Sequence, residues 1–67
     1  MNVLDLLKCN DDYNVDTVLD VRHNGNWIGT DTVEHILYQY GLCEVVAFNR
    51  RYIDMIGRRN EYEDLNN

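Results

Sequence analysis

Four side chains in this 67-residue sequence are soft metal ligands: Cys9, His23, His35 and Cys43. Tetrahedral zinc accepts two thiolates and two imidazoles, but structural sites bring their ligands in tight pairs because one turn must present two at once. Here successive ligands stand 14, 12 and 8 positions apart. That spacing argues against a metal site and for two small apolar thiols with two surface imidazoles. Nucleophilic catalysis also lacks parts. There is no Ser, and Thr17, Thr30 and Thr32 are the only hydroxyls besides tyrosines. Cysteine–histidine chemistry needs a thiol in an electropositive cleft, and a chain this short leaves little room for a cleft. Gly25 and Gly29 match neither the dinucleotide nor the P-loop spacing. No catalysis, no cofactor and no metal are expected.

Charge is the stronger signal. The formal net charge is −6, from six Lys and Arg against twelve Asp and Glu. Residues 1–49 hold Asp5, Asp11, Asp12, Asp16, Asp20, Asp31, Glu34 and Glu44 against Lys8 and Arg22. Residues 50–67 are balanced, with Arg50-Arg51 and Arg58-Arg59 set against Asp54, Glu61, Glu63 and Asp64. Phosphate binding needs clustered positive charge, so the chain as a whole is a poor nucleic-acid ligand. The balance favours a partner with a basic surface. Asp11, Asp12, Asp16, Asp20, Asp31 and Glu34, spaced along a strand, a loop and a helix start, imitate a run of phosphates. Tyr13 and Trp27 are candidate anchors beside them, since Tyr and Trp are enriched in interface hot spots. The plainer alternatives are that the charge serves solubility and that Trp27 packs against Arg22 and a helix. The four arginines form an alternative nucleic-acid strip.

These residues sit on a short list of elements. Asn2–Cys9 reads as a helix with an apolar stripe of Val3, Leu4 and Leu7. Asn10, Asp11, Asp12 and Asn14 break it, because such side chains bond their own backbone. Val15–His23 alternates as a strand. Asn24-Gly25 follows, the dipeptide that best tolerates the two positive φ angles of a type I′ hairpin. A two-residue loop pairs His23 with Asn26, Arg22 with Trp27 and Val21 with Ile28. Asp31–Tyr40 is a helix with Asp31 as N-cap, Glu34 at the capping-box position and Val33, Ile36, Leu37 and Tyr40 inward. Gly41 stands where a left-handed residue ends a helix, with Leu42 as its apolar contact. Cys43–Phe48 is a strand. Beyond it the pattern forks: Asn49 either turns the chain into a return strand over Tyr52–Ile56 or caps a helix ending at Gly57. The β-prone Tyr-Ile-x-Met-Ile run favours the strand. Residues 61–67 form a frayed acidic tail.

The outcome is one small α+β domain over residues 1–60, an antiparallel ββαβ(β) sheet packed by one main helix and a short N-terminal one. Its size makes the core marginal, so a homo-oligomer, pairing through the 43–56 segment, is a second functional reading. No run approaches the roughly 18 apolar residues of a membrane helix, and no signal-peptide pattern opens the sequence. A cytoplasmic setting with reduced thiols is expected.

In its size, its lack of Pro, its abundance of Asn, Asp and Tyr, and its hairpin–helix–strand layout, the chain resembles short acidic proteins of phages and mobile elements of Gram-positive bacteria. That group includes anti-CRISPR and other anti-defence inhibitors. The resemblance implies a stoichiometric inhibitor acting in the host cytoplasm on a larger host protein, in some cases as a DNA mimic. No diagnostic motif accompanies it, and it transfers no site residue by residue.

Overall fold

A computed structural model describes residues 1–9 and 13–60. The expected tail at 61–67, and the candidate residues Asp11 and Asp12, lie outside the described residues. The order of elements is α1 (Val3–Cys9), β1 (Val18–His23), β2 (Asn26–Thr32), α2 (Val33–Tyr40), β3 (Glu44–Phe48) and β4 (Tyr52–Ile56). The α+β class, the two helices and the strand at 52–56 are as the sequence indicated.

Two hairpins build the sheet. β1 and β2 pair antiparallel across Asn24-Gly25, whose φ angles are 52° and 86°. β3 and β4 pair antiparallel across a turn held by Asn49, whose Oδ1 accepts from Arg51 N at 2.7 Å and Tyr52 N at 3.0 Å. This Asx-type turn settles the fork at Asn49 in favour of a hairpin. The hairpins then join side by side in the order β2-β1-β4-β3. The joining pair, β1 with β4, is parallel, so the sheet is mixed where the sequence reading had only antiparallel pairs. Parallel neighbours need a long crossover. Here β2, α2 and β3 supply it, and α2 crosses one face of the sheet on the way from one edge to the other.

That crossing makes one face the core. Leu19, Val21, Ile53 and Met55 from the two central strands meet Val33, Ile36 and Tyr40 of α2 and Val3, Leu6 and Leu7 of α1, all buried. In α1 the buried stripe is Val3, Leu6 and Leu7, with Leu4 only half-buried. Among the described residues no helix packs on the other face.

Several boundaries differ from the sequence reading, each for a local reason. β1 begins at Val18 rather than Val15, because Asn14 folds the preceding residues into a turn: its Oδ1 accepts from Asp16 N at 3.1 Å and its carbonyl from Thr17 N at 3.1 Å. The N-cap of α2 is Thr32, not Asp31. β2 runs on through Thr32, whose Oγ1 accepts from His35 N at 3.2 Å, while Asp31 turns back to accept from Thr32 N at 2.8 Å. Gly41 is right-handed, at φ −54° and ψ −31°. A left-handed cap is unnecessary because other groups take the carbonyls at the end of α2. Asn60 donates to Tyr38 O and Gln39 O at 2.7 and 2.6 Å, Cys43 N to Tyr40 O at 2.9 Å and Leu4 N to Gly41 O at 2.9 Å. Leu42 points into solvent, 74% exposed, where the sequence reading had it as the apolar contact of the cap. The β1–β2 register also slips. Val21 pairs with Gly29, not Ile28, because a bulge inserts Ile28 as an extra residue, and Gly29 takes φ 114°.

Candidate functional site

The uncovered face of the sheet gathers the residues that suit an interface. Along β1 the inward Leu19 and Val21 alternate with Val18, Asp20 and Arg22, which point the other way. The register then sets a row of neighbours across this face: Trp27, Arg22, Asp54 and Ala47. A second row runs Thr30, Asp20, Tyr52, and Ile56 faces Glu44 nearby. Trp27 is 59% exposed although it has two partners on this face. Its ring meets Tyr52 edge-on at 6.0 Å and 70°, and the Arg22 guanidinium carbon lies 5.8 Å from its centroid. Arg22 Nη1 also reaches Asp54 Oδ2 at 4.0 Å. Arg22 Nε is shielded from solvent and has no hydrogen-bond partner among the described residues, a local cost of about 1–3 kcal/mol. Trp, Tyr and Arg are the three residue types most enriched in interface hot spots. Among the described residues the carboxylates on the face are Asp20, Asp54 and Glu44, with Arg22 reaching Asp54 and the Met1 ammonium 3.5 Å from Glu44 Oε1.

The sequence-derived candidates distribute unevenly. Asp20 lies on this face. Asp16, Asp31 and Glu34 lie elsewhere, around the end of the hairpin where the 14–17 turn is stitched to α2 by Val33 N to Thr17 O at 2.8 Å and Glu34 N to Val15 O at 3.2 Å. There Asp31 Oδ2 contacts His35 Nδ1 at 2.5 Å, and His35 Nε2 meets Gln39 Nε2 at 3.0 Å. Both imidazole nitrogens thus have partners within the chain. Tyr13 is half-buried against the core, and its hydroxyl donates to Asn49 O at 2.9 Å, so it braces the β3–β4 turn. Among the described residues no helix covers Trp27, and its ring meets Arg22 and Tyr52. Tyr52, Asp54 and Glu44 are not among the candidate residues that the sequence places on an acidic face. The β1–β4 pairing alone brings Tyr52 and Asp54 to Trp27 and Arg22, and no local signal announces it.

The remaining chemistry is dispersed. His23 is half-buried, meets the Tyr40 ring at 4.9 Å with a tilt of 53° and bonds Gly57 O through Nε2 at 2.7 Å. Cys43 is a buried free thiol that donates to Arg58 O at 3.2 Å, and burial raises its pKa. Arg50-Arg51 and Arg58-Arg59 flank opposite ends of β4, separated by roughly 17 Å of extended strand, so they form no single strip. A recess of about 30 Å³ between the β2 bulge and α2, lined by Val21, Ile28, Asp31 and Tyr40 among others, has room for about one water. Among the described residues no three His, Cys, Asp or Glu side chains converge as a metal site, and no helix is long and apolar enough to cross a membrane. Comparison with protein-family models, curated proteins and solved structures finds no match for the chain.

Proposed function

We propose that the protein is a non-enzymatic binding module that seats the open face of its sheet on a basic surface of a larger protein. The observation that carries this reading is the meeting of Arg22, Trp27 and Tyr52 on an uncovered face bordered by Asp20, Asp54 and Glu44. The aromatic centre supplies apolar contact, and the carboxylates with the net charge of −6 steer a positive partner. Surfaces that bind nucleic acid are basic by necessity, so a protein that handles nucleic acid, including one of host defence, fits the face. Occupying that surface would inhibit such a partner stoichiometrically, in keeping with the resemblance to phage-borne inhibitors.

The test compares tagged wild-type, Trp27→Ala and Asp20→Asn chains as baits in nuclease-treated lysate of a Gram-positive bacterium, at low and high salt. A protein retained by wild type, released by salt and lost with Trp27→Ala is the expected result. With that protein purified, Trp27→Ala should weaken binding by about 2 kcal/mol, roughly thirtyfold in Kd. A partner held equally by wild type and Trp27→Ala, at either salt, refutes the assignment of this face.

A further inference from the structure

The two edges of the sheet are unlike. The β3 edge is partly closed by the chain's own start: Val45 N donates to Met1 O at 3.0 Å, Val3 N to Cys43 O at 2.9 Å, and Asn2 bridges Glu44. β2, the longest strand at seven residues, has no described segment alongside it. Its outward groups follow from those of β1. Asp20 N donates to Arg51 O at 2.7 Å and Asn24 N to Met55 O at 2.9 Å, so these positions of β1 face β4. Leu19, Val21 and His23 therefore face β2 at Asp31, Gly29 and Asn26. By the same alternation the N–H and C=O of Thr30 and the N–H of Thr32 point away from the sheet. Asp31 closes the Thr32 N–H. The Thr30 amide and carbonyl remain directed outward, beside the half-exposed bulge residue Ile28.

We infer that β2 is a self-pairing edge, at which a second copy of this chain adds antiparallel to extend the sheet. Antiparallel pairing about a two-fold is isologous, so each copy accepts what the other donates. With Gly29 at the axis, Thr30 of one copy pairs with Ile28 of the other. β2 carries one charged residue, Asp31. The axis holds the two Asp31 residues about 13 Å apart along the strands, beyond the Debye length of about 10 Å at 0.1 M salt. The two acidic bodies thus meet at a strand nearly free of charge. The two-fold stands perpendicular to the sheet, so both open faces lie on the same side and present two Arg22–Trp27–Tyr52 clusters together. This inference does not depend on the proposed function, and salt acts on the two in opposite directions. Screening weakens an acidic face on a basic partner and strengthens the association of two chains that each carry −6.

Sedimentation velocity of the full chain across a concentration series, at low salt and at about 0.5 M NaCl, reads the association directly. The expected result is a rise from 8.0 kDa to twice that mass, at lower concentration in high salt. Over the same series the Thr30 amide should exchange at least about tenfold more slowly in the dimer, while the turn amide of Gly25 does not change. Thr30→Pro removes the outward N–H without touching the β1–β2 ladder and should stay monomeric, whereas Thr30→Val keeps the amide and should dimerise. A wild-type chain that is monomeric throughout overturns the inference, and so does a folded Thr30→Pro chain that dimerises like wild type. If Thr30→Pro fails to fold, exchange at the wild-type Thr30 amide that is independent of concentration overturns it.

Discussion

Asn24 sits in the left-handed region at φ 52° and also clamps the far end of β4. Its Nδ2 donates to Gly57 O at 3.2 Å and its Oδ1 accepts from Gly57 N at 2.9 Å. The clamp ties the β1–β2 turn to the turn after β4, and Gly57 itself has φ 124° with Cys43 close behind it. Asn24→Ala removes both side-chain bonds. They lie at the exposed end of the range, about 0.5–1 kcal/mol each. Alanine also meets the left-handed backbone without a compensating local bond, about 1 kcal/mol more. The total is about 2–3 kcal/mol, against about 3–5 kcal/mol available to a single small core. Asn24→Gly loses the bonds but not the backbone fit, so it should cost about 1–2 kcal/mol. At 4–8 °C per kcal/mol for a domain of this size, Asn24→Ala should melt roughly 10–20 °C below wild type. Urea unfolding followed by far-UV circular dichroism, fitted with a common slope, measures the series. If Ala and Gly agree within about 0.3 kcal/mol and both lie within about 0.5 kcal/mol of wild type, the clamp contributes nothing and the reasoning fails.

Ile36 is fully buried beneath the sheet, and Ile36→Ala should cost about 2–5 kcal/mol. That is comparable to the whole stability, so the far-UV spectrum should show a largely unfolded chain at room temperature, and a cooperative melt close to wild type would contradict the core described. Cys43 has its pKa raised by burial, so its neutral thiol supports the fold fully below the ordinary thiol value of about 8.5. That support is lost as pH rises through the folded value. Iodoacetamide should therefore label Cys43 slowly at pH 8 in the native chain and at an ordinary thiol rate in urea; equal rates in both would refute a buried, raised thiol.

Asn24-Gly25 marks its own turn because few residue pairs accept two positive φ angles. The spacing of Val33, Ile36, Leu37 and Tyr40 marks its own helix because the apolar stripe repeats with the helical turn. The β-branched and aromatic content of 52–56 was enough to choose a strand over a helix. Errors gathered where a local preference met a tertiary competitor. Asp31 is a good N-cap by type, yet its carboxylate is drawn to Thr32 N and His35, and Thr32 caps instead. Gly41 is a good left-handed terminator by type, yet Asn60 and Leu4 satisfy the carbonyls and no such turn forms.

The candidate site was legible only in part. The hairpin register placed Arg22 beside Trp27, opposite to the Val21 side, and the structure keeps that pair. Tyr52 and Asp54 were beyond reach, and the acidic residues gathered on one imagined face divide between the open sheet and the start of α2. The sequence by itself determined the first hairpin, the main helix and the excess of negative charge, and only favoured a strand at 52–56, because turn angles, side-chain alternation and formal charge are properties of neighbouring residues. Only the tertiary structure decided that β1 and β4 lie parallel at the centre, that α2 covers one face and leaves the other open, and that the two arginine pairs stand apart. Backbone hydrogen bonds are chemically alike whichever strand supplies them, so the choice of neighbour is made by how α2 and α1 bury the faces of Leu19, Val21, Ile53 and Met55 together.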